Sequence, residues 1–298
     1  VAEKVEDTAD DSAQIAIVLK TLSNPFWVAM KDGIEAEAKE LGVTVEVFAV
    51  SSEEDTQGQL QLFENLLNKD YQAIGFAPLS PVNLVQPAAQ AYQKGIFLMN
   101  IDEKIDMTEL KNAGGNVLAF ATTDNVVVGE NGAGYIVDSL QAGDQVAIVE
   151  GKAGNASGEA RRQGAENAFT AAELEIVASQ PADWDRTKAL DLAANLIQRY
   201  PELKGIYCAN DTMALGVQQA VVNAGLEEVI MVVGTDGAPE AIESVANGEL
   251  AATVAQDPAE IGAVSLRVLV EAMNGERAQI GVDEEPELIA VGSQLITE

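Results

Sequence analysis

Short apolar runs alternate with amphipathic segments along almost the whole chain. Ten runs have the length of strands, and several are apolar on both faces, as strands of a buried parallel sheet are. Between them lie stretches with apolar residues at helical spacing, such as Met30, Ile34 and Ala38 within 25–41. The apolar runs cover residues 14–20, 43–50, 73–79, 95–102, 117–124, 145–151, 174–180, 205–211, 229–236 and 250–257.

This alternation predicts an α/β protein. Strands and helices follow one another in βαβ order, and the series is long enough for two groups of about five units each. At 298 residues the chain is too long for one ordinary core and comfortable for two. We therefore predict two doubly wound domains, each built on a parallel sheet.

The first thirteen residues lie outside this pattern. The segment "VAEKVEDTADDSA" is polar, acidic and without periodicity, so we predict a flexible acidic leader over residues 1–13. The chain begins at Val1, which fits a processed secreted protein whose signal peptide has been removed, and fits a chain trimmed by other means equally well.

Composition disfavours several partners and chemistries. Seventeen basic residues face 48 acidic ones, and the net charge of −31 disfavours nucleic acid, anionic lipid and phosphorylated ligands. The absence of histidine removes Ser-His-Asp and Cys-His catalysis and most zinc and haem sites. The glycine-rich "GKAGNASG" lacks the ending of a phosphate-binding loop, and no G-x-G-x-x-G follows the first strand. We expect no metal, no cofactor and no enzymatic activity.

Ligands of doubly wound sheets bind at the carboxyl ends of the strands. The residues at those ends are rich in Asp, Asn and Gln, and Lys20 and Arg161, which are poor helix caps, join them. For any single Asp or Asn, capping of the next helix explains its presence at least as well as a ligand contact does. The candidates are Lys20, Ser80, Asp102, Thr123, Asp124, Asn155, Arg161, the segment 180–184 with Trp184, Asn210, Asp211, Asp236 and Gln256.

Aromatic rings beside polar groups of both charges suit a carbohydrate. Rings pack on the C–H faces of a sugar, and carboxylate, amide and cationic side chains bind its hydroxyl groups. Phe26 and Trp27 begin a helix that Asn24 caps, where they can reach the mouth of a cleft, although core packing explains either ring equally well. Two cations set against Asp102 and Asp236 favour a neutral polyol over an ion.

Eight segments resemble the periplasmic pentose- and hexose-binding proteins of ABC sugar importers. The resemblance covers residues 15–298, which is essentially everything after the leader. The segments are "VLKTLSNPFW", "NIDEKIDM", "TTDNVVVG", "IVEGKAGNASGEARR", "ASQPADWDR", "YCANDTMALG", "VVGTDG" and "ATVAQDPAEIG".

The resemblance implies the type I periplasmic binding protein fold, in which a three-segment hinge joins two lobes and one sugar lies between them. It assigns 14–123 and 257–284 to the N-terminal lobe, and 124–256 and 285–298 to the C-terminal lobe. The ligand contacts that it implies are Lys20, Asn24, Phe26, Trp27, Asp102, Asn155, Arg161, Trp184, Asn210, Asp236 and Gln256.

The resemblance also bears on the ligand and the partners. Ribose-binding relatives have an arginine after the first-lobe aspartate and a small polar residue at the position of Lys20. Here Glu103 follows Asp102 and the lysine is present, which favours a hexopyranose such as D-allose over ribose. The implied protein is a monomer in the periplasm that delivers sugar to an ABC permease, with the leader either a lipid-anchored tether or a processed end. Binding to a chemoreceptor is a further option that is compatible with transport.

Three alternatives remain open. The ligand is another sugar or polyol, such as ribose, psicose, galactose or myo-inositol. The chain is instead the effector domain of a sugar-responsive repressor, which has the same fold, although the acidic leader argues against a preceding DNA-binding headpiece. An enzyme of a related α/β fold is disfavoured because the sequence contains neither histidine nor a nucleophile motif.

Overall fold

The computed structural model describes residues 14–298, and the predicted leader, residues 1–13, lies outside this part of the chain. The first of two sheets consists of β1 (Ile15–Thr21), β2 (Val45–Val50), β3 (Ala73–Phe76), β4 (Phe97–Ile101), β5 (Ala119–Thr123) and β11 (Glu287–Val291). Its strand order is β2-β1-β3-β4-β5-β11, and neighbouring strands pair in parallel.

The second sheet repeats this topology. It consists of β6 (Gln145–Glu150), β7 (Glu175–Pro181), β8 (Leu203–Cys208), β9 (Met231–Asp236), β10 (Ala252–Ala255) and β12 (Gln294–Ile296). The order is β7-β6-β8-β9-β10-β12, and only the pairing of β12 with β10 is antiparallel within residues 14–298. In both sheets the order reverses beside the first strand of the lobe, which defines a doubly wound sheet.

Helices cover the faces of both sheets. The first lobe carries α1 (Pro25–Leu41), α2 (Thr56–Leu66), α3 (Val85–Gln93), α4 (Met107–Asn112) and α10 (Pro258–Met273). The second carries α5 (Asn125–Val137), α6 (Ala156–Ala171), α7 (Arg186–Arg199), α8 (Asp211–Ala224) and α9 (Pro239–Ala246). Over residues 14–298 no helix combines the length and the apolar character that crossing a membrane requires.

Burial on both faces explains the continuous apolar runs. Along β1, Ile15, Ile17 and Leu19 pack on one side of the sheet, while Ala16 and Val18 pack on the other. All five side chains are fully buried, so neither face leaves room for a polar residue.

The prediction of two doubly wound lobes is confirmed, and each of the ten predicted runs coincides with a strand. One boundary differs. Residues 285–298 were assigned to the C-terminal lobe, but 287–291 pairs with β5 of the first sheet, and the chain enters the second sheet only at β12. The reason is packing, because Ile289 and Val291 lie against the core of the first lobe.

The chain passes between the lobes three times. It leaves the first sheet after β5, returns between β10 and α10, and leaves again between β11 and β12. The crossings therefore lie near residue 124, at 256–257 and at 292–293. These three short connecting segments lie side by side and form the hinge between the lobes.

Close helix packing in the second lobe depends on glycine. A Cβ atom at Gly129 of α5 would lie 2.0 Å from the carbonyl oxygen of Arg161, and one at Gly164 of α6 would lie 2.1 Å from that of Val126. The two backbones thus approach too closely for any side chain. Gly134 is on the same helix as Gly129, but a Cβ there would have no described atom within 4 Å.

We predict opposite effects of alanine at these two glycines of α5. Gly129→Ala should lower the free energy of unfolding by about 1–3 kcal/mol, because the backbones must separate. Gly134→Ala should raise it by about 0.5–1 kcal/mol, because alanine favours the helix and meets open space. Urea denaturation of the ligand-free protein measures both changes. Equal shifts in one direction would contradict this packing.

Candidate functional site

Polar side chains of both lobes converge in a pocket between the carboxyl ends of the two sheets. The pocket is narrow, and its space measures about 320 Å³ when the solvent-filled mouth is included. Nine of the eleven residues predicted from the sequence line it. The lining residues are Lys20, Asn24, Phe26, Trp27, Glu53, Asp102, Ser157, Arg161, Trp184, Asn210 and Asp236.

Two aromatic rings from the first turn of α1 form one wall. Asn24 caps this helix, as predicted, and its Oδ1 accepts a hydrogen bond from the Phe26 amide at 3.0 Å. Phe26 and Trp27 meet edge to face with ring centroids 5.1 Å apart, and both rings are almost completely buried. They belong to the core of the first lobe and also line the pocket, and their contact with a ligand stays a prediction.

Lys20 places a buried cation at the end of β1. Its Nζ lies 3.2 Å from Glu103 Oε2, 3.9 Å from Glu53 Oε2 and 5.6 Å from the centroid of the Trp27 ring. Burial by itself lowers the pKa of Lys20, but the neighbouring carboxylates, Glu103 foremost, outweigh burial and raise the pKa above its ordinary value. Lys20 is therefore a permanently charged donor.

Asp102 presents an acceptor to the pocket directly after β4. Its backbone φ is 56°, a left-handed conformation that side chains other than glycine rarely adopt. Burial raises the pKa of Asp102 to about 7, although Arg161 acts in the opposite direction. Its Oδ1 is buried and has no hydrogen-bond partner among residues 14–298. Such an oxygen costs free energy until a donor reaches it.

On the second lobe, hydrogen bonds fix a cation and a carboxylate side by side. Arg161 donates from Nε to Asn125 Oδ1 at 2.8 Å, and from Nη1 to the Ala209 carbonyl at 2.8 Å and to Asp236 Oδ1 at 3.4 Å. Asp236 Oδ1 also accepts from Gln256 Nε2 at 2.7 Å. Burial raises the pKa of Asp236 to about 6, against the lowering effects of Arg161 and Gln256.

A buried carboxylate holds the strained backbone of Asp236. Its φ is 123°, which is unfavourable for a residue with a side chain. Asp211 Oδ2 accepts a hydrogen bond from the Ala238 amide at 2.7 Å, and Asp211 Oδ1 accepts one from Thr253 Oγ1 at 2.7 Å. Asp211 thereby ties the turn after β9 to β10, which offsets the strain.

Trp184 supplies a second aromatic wall. Its Nε1 donates to Asn155 Oδ1 at 3.1 Å, and the Arg161 guanidinium carbon lies 5.9 Å from the ring centroid. The ring covers Gly151 so closely that a Cβ there would lie 2.1 Å from a ring carbon. Trp184 is half-buried and lines the pocket, as predicted, and Asn210 lines it while also capping α8.

Asn155 and Gln256 are the two predicted residues that do not line the pocket. Asn155 holds the Trp184 indole, and its Nδ2 donates to the Leu79 carbonyl of the first lobe at 3.3 Å. Gln256 holds Asp236 at 2.7 Å. Both side chains support a lining residue, and direct ligand contact by either stays a prediction.

Two lining residues, Glu53 and Ser157, were missed from the sequence. Glu53 follows β2, so the strand-end rule that found Asp102 applies to it as well. Ser157 lies in the first turn of α6, where nothing in the sequence distinguishes it from an ordinary helix-start residue. In the sequence Glu103 stands out only as the neighbour of Asp102, and the structure buries it completely behind the pocket.

The site is more acidic than predicted. The sequence predicts two cations against Asp102 and Asp236, and the structure adds the carboxyl groups of Glu53 and Glu103. An anionic ligand is therefore strongly disfavoured, whereas hydroxyl groups can donate to the carboxylates. Among residues 14–298 no group of three or more Cys, Asp or Glu side chains is arranged to hold a metal ion.

The loop before α6 and the first turn of that helix also contact the first lobe directly. Lys152 Nζ donates to the Glu53 carbonyl oxygen at 2.6 Å. Ser157 Oγ donates to Glu103 Oε2 at 2.7 Å, on the same oxygen that accepts from Lys20. The lobes are thus held together beside the pocket by hydrogen bonds between buried or half-buried groups.

A wider depression of about 920 Å³ adjoins the pocket on the side of the crossings. Phe120, Leu288 and Ala290 give it a largely apolar wall. The narrow pocket, in contrast, brings together buried charges from both lobes. Convergent polar groups in a mostly buried space make the narrow pocket the candidate ligand site.

The chain matches a known family along most of its length. A family model described as "Periplasmic binding protein domain" matches residues 15–277. The chain is 62% identical to the D-allose-binding periplasmic protein of Escherichia coli (strain K12), over 96% of this chain and 93% of that protein. It is 34% identical to the ribose import binding protein RbsB of Salmonella typhimurium, over 89% of this chain and 86% of that protein.

Solved structures give the same picture. A periplasmic solute binding protein of an ABC transporter from Actinobacillus succinogenes 130z, with bound D-allose, superposes with a TM-score of 0.88 at 31% identity, covering 96% of this chain and 98% of that chain. The Caulobacter myo-inositol binding protein bound to myo-inositol superposes with a TM-score of 0.84 at 28% identity, covering 96% and 94%.

We predict that Asp102→Asn changes how stability depends on pH. The pKa of Asp102 is about 7 in the folded chain and 3.8 in the reference state, so the folded protein holds this proton more tightly. The free energy of unfolding therefore falls as pH rises from about 4 to about 7. Asparagine does not titrate, so the stability of the variant relative to wild type should rise across that window and level off above it.

Urea denaturation of the ligand-free proteins at intervals between about pH 4 and pH 9 measures this difference. The plateau above pH 7 serves as the internal control. A difference that is the same at every pH would mean that water solvates the Asp102 carboxyl group, contrary to the structure.

Proposed function

The chain belongs to the periplasmic sugar-binding proteins of ABC importers, and on that premise we propose that it captures a neutral monosaccharide, D-allose, for delivery to an ABC permease. The observation that carries the proposal is the pocket between the lobes, where aromatic rings stand beside buried charged groups. Its rings suit the C–H faces of a pyranose, and its carboxylates suit the hydroxyl groups.

The preference for D-allose is supported by the pair formed by Lys20 and Glu103. A cation on the first strand needs a buried carboxylate beside it, and Glu103 supplies one at 3.2 Å. The arginine that ribose-binding relatives carry after the aspartate would put a second cation at that place. The relative at 62% identity is a D-allose-binding protein, which favours the same sugar.

Binding couples to closure of the lobes. Lys20 and Asp102 belong to the first lobe, and Arg161 and Asp236 belong to the second, so a sugar can contact both sets only when the lobes meet. In the open form water would solvate these groups. A sugar that binds the closed form more tightly shifts the population toward it, with the three crossings as the hinge.

The remaining parts of the proposal concern partners and location. The closed shape is the form that the permease recognises, and a chemoreceptor is a second candidate partner for the same form. The protein works in the periplasm as a monomer, with residues 1–13 as the candidate lipid-anchored tether. It releases the sugar unchanged, which is consistent with relatives named as binding proteins.

Titration calorimetry with a panel of sugars tests the function. D-Allose should bind with a dissociation constant lower by a factor of at least about 10 than ribose, psicose, galactose, glucose or myo-inositol, because a wrong epimer leaves buried polar groups unpaired. Tighter binding of another sugar in the panel would change the proposed ligand but would leave the proposed sugar-binding function intact. No heat with any member would contradict it.

Variants of the same protein locate the site. Asp102→Ala and Asp236→Ala should each weaken D-allose binding more than about 100-fold, because each removes a charged acceptor from the pocket. The exposed Asp32 of α1 provides the control, and Asp32→Ala should bind like wild type. Circular dichroism should show folded protein in each case. Near-normal affinity in either pocket variant refutes its assignment.

A further inference from the structure

We propose that Glu53 is a specificity-determining contact that accepts a hydrogen bond from one hydroxyl group of the sugar, an inference that rests on the proposed sugar-binding function. Glu53 follows β2 and is not among the residues that the family resemblance implies. Its side chain lines the pocket next to Lys20 and Asp102.

The carboxyl group of Glu53 has an oxygen ready for a ligand. The Glu53 side chain is only 14% exposed, and its Oε2 is buried with no hydrogen-bond partner among residues 14–298. Lys20 Nζ lies 3.9 Å from it, which is beyond hydrogen-bond distance. A buried carboxylate oxygen needs a donor, and a hydroxyl group entering the pocket supplies it.

Glu103 explains why Glu53 stays available. Lys20 Nζ lies 3.2 Å from Glu103 Oε2, and Glu103 is fully buried and does not line the pocket. The ammonium group is therefore held at hydrogen-bond distance by Glu103 and not by Glu53. Of the two glutamates near Lys20, Glu103 holds the lysine and Glu53 faces the ligand.

The second lobe fixes the backbone of Glu53. Lys152 Nζ donates to the Glu53 carbonyl oxygen at 2.6 Å and lies 3.4 Å from Glu54 Oε2. This contact joins the lobes, so the Glu53 carboxylate is held toward the pocket when they meet. Replacing the Glu53 side chain leaves its carbonyl in place, which separates the ligand contact from the contact between lobes.

Specificity follows from the cost of an unpaired charge. A sugar without the hydroxyl group at this place, or with it inverted, leaves Glu53 desolvated and without a donor. The penalty falls on that one position of the sugar ring. Loss of Glu53 should therefore weaken binding of the natural ligand and at the same time abolish discrimination at that position.

The chain offers a matched control in the next residue. Glu54 contacts the same Lys152, but its side chain is 64% exposed and does not line the pocket. Titration calorimetry would compare wild type, Glu53→Ala, Glu53→Gln and Glu54→Ala. The ligands are D-allose and its series of monodeoxy analogues, or the same series for whichever monosaccharide binds wild type most tightly.

We expect Glu53→Ala to bind the parent sugar about 10- to 100-fold more weakly, with a smaller loss for Glu53→Gln and a change under about threefold for Glu54→Ala. Wild type should bind one deoxy analogue at least about 10-fold more weakly than the parent sugar. Glu53→Ala should bind that analogue and the parent sugar almost equally. Two proteins compared with two ligands form a double-mutant cycle, which isolates the contact between Glu53 and that hydroxyl group.

Two results would contradict the role of Glu53 without contradicting the proposed sugar-binding function. One is that wild type binds sugar and Glu53→Ala binds it as well as Glu54→Ala does. The other is that Glu53→Ala binds weakly while every deoxy penalty remains as in wild type, because the effect is then indirect. If wild type binds no monosaccharide, the proposed function fails and the inference fails with it. Glu53→Gln keeps the side-chain shape and serves if the alanine variant does not fold.

Discussion

Closing two lobes over a pocket buries charges, and each buried charge needs a partner. An unpaired ion inside a protein costs several kcal/mol even after relaxation. Here Lys20 pairs with Glu103, and Arg161 lies beside Asp236, so each cation has a carboxylate within 3.4 Å. Oxygens of Glu53 and Asp102 remain without donors among residues 14–298. This combination of paired cations and waiting acceptors makes the pocket suited to a ring of hydroxyl groups.

The fold brings those charged groups together. Parallel strands end at one edge of a sheet, and two sheets of the same topology place their carboxyl ends on either side of one pocket. Backbone strain is concentrated at the same place, because Asp102, Trp184 and Asp236 all have positive φ. Supports such as Asp211 hold one strained turn, so part of the stability of the second lobe maintains the geometry of the site.

Most of the strands could be predicted from the sequence, because a strand that is buried on both faces of a sheet appears as a continuous apolar run. The first five residues of β1, for example, are all apolar and fully buried. β11 and β12 were not predicted, since they are short edge strands with exposed residues such as Leu288. Their allocation to different sheets depends on pairing with β5 and β10, which no local pattern records.

For the site, the strand-end rule located residues but not their roles. Asn210 caps a helix and lines the pocket, whereas Asn155 supports Trp184 from behind. The two asparagines follow strands in the same way, and only the neighbouring side chains separate them. Glu53 was missed although it follows a strand, and its importance appears only when Lys20 is seen to turn toward Glu103.

Closure of the lobes around a sugar is measured most directly by small-angle X-ray scattering of the ligand-free and D-allose-saturated protein. The radius of gyration should fall when the sugar binds, and the scattering of the saturated protein should match the closed arrangement in which Ser157 meets Glu103. Two superimposable profiles, from samples in which calorimetry detects bound sugar, would contradict the coupling of binding to closure.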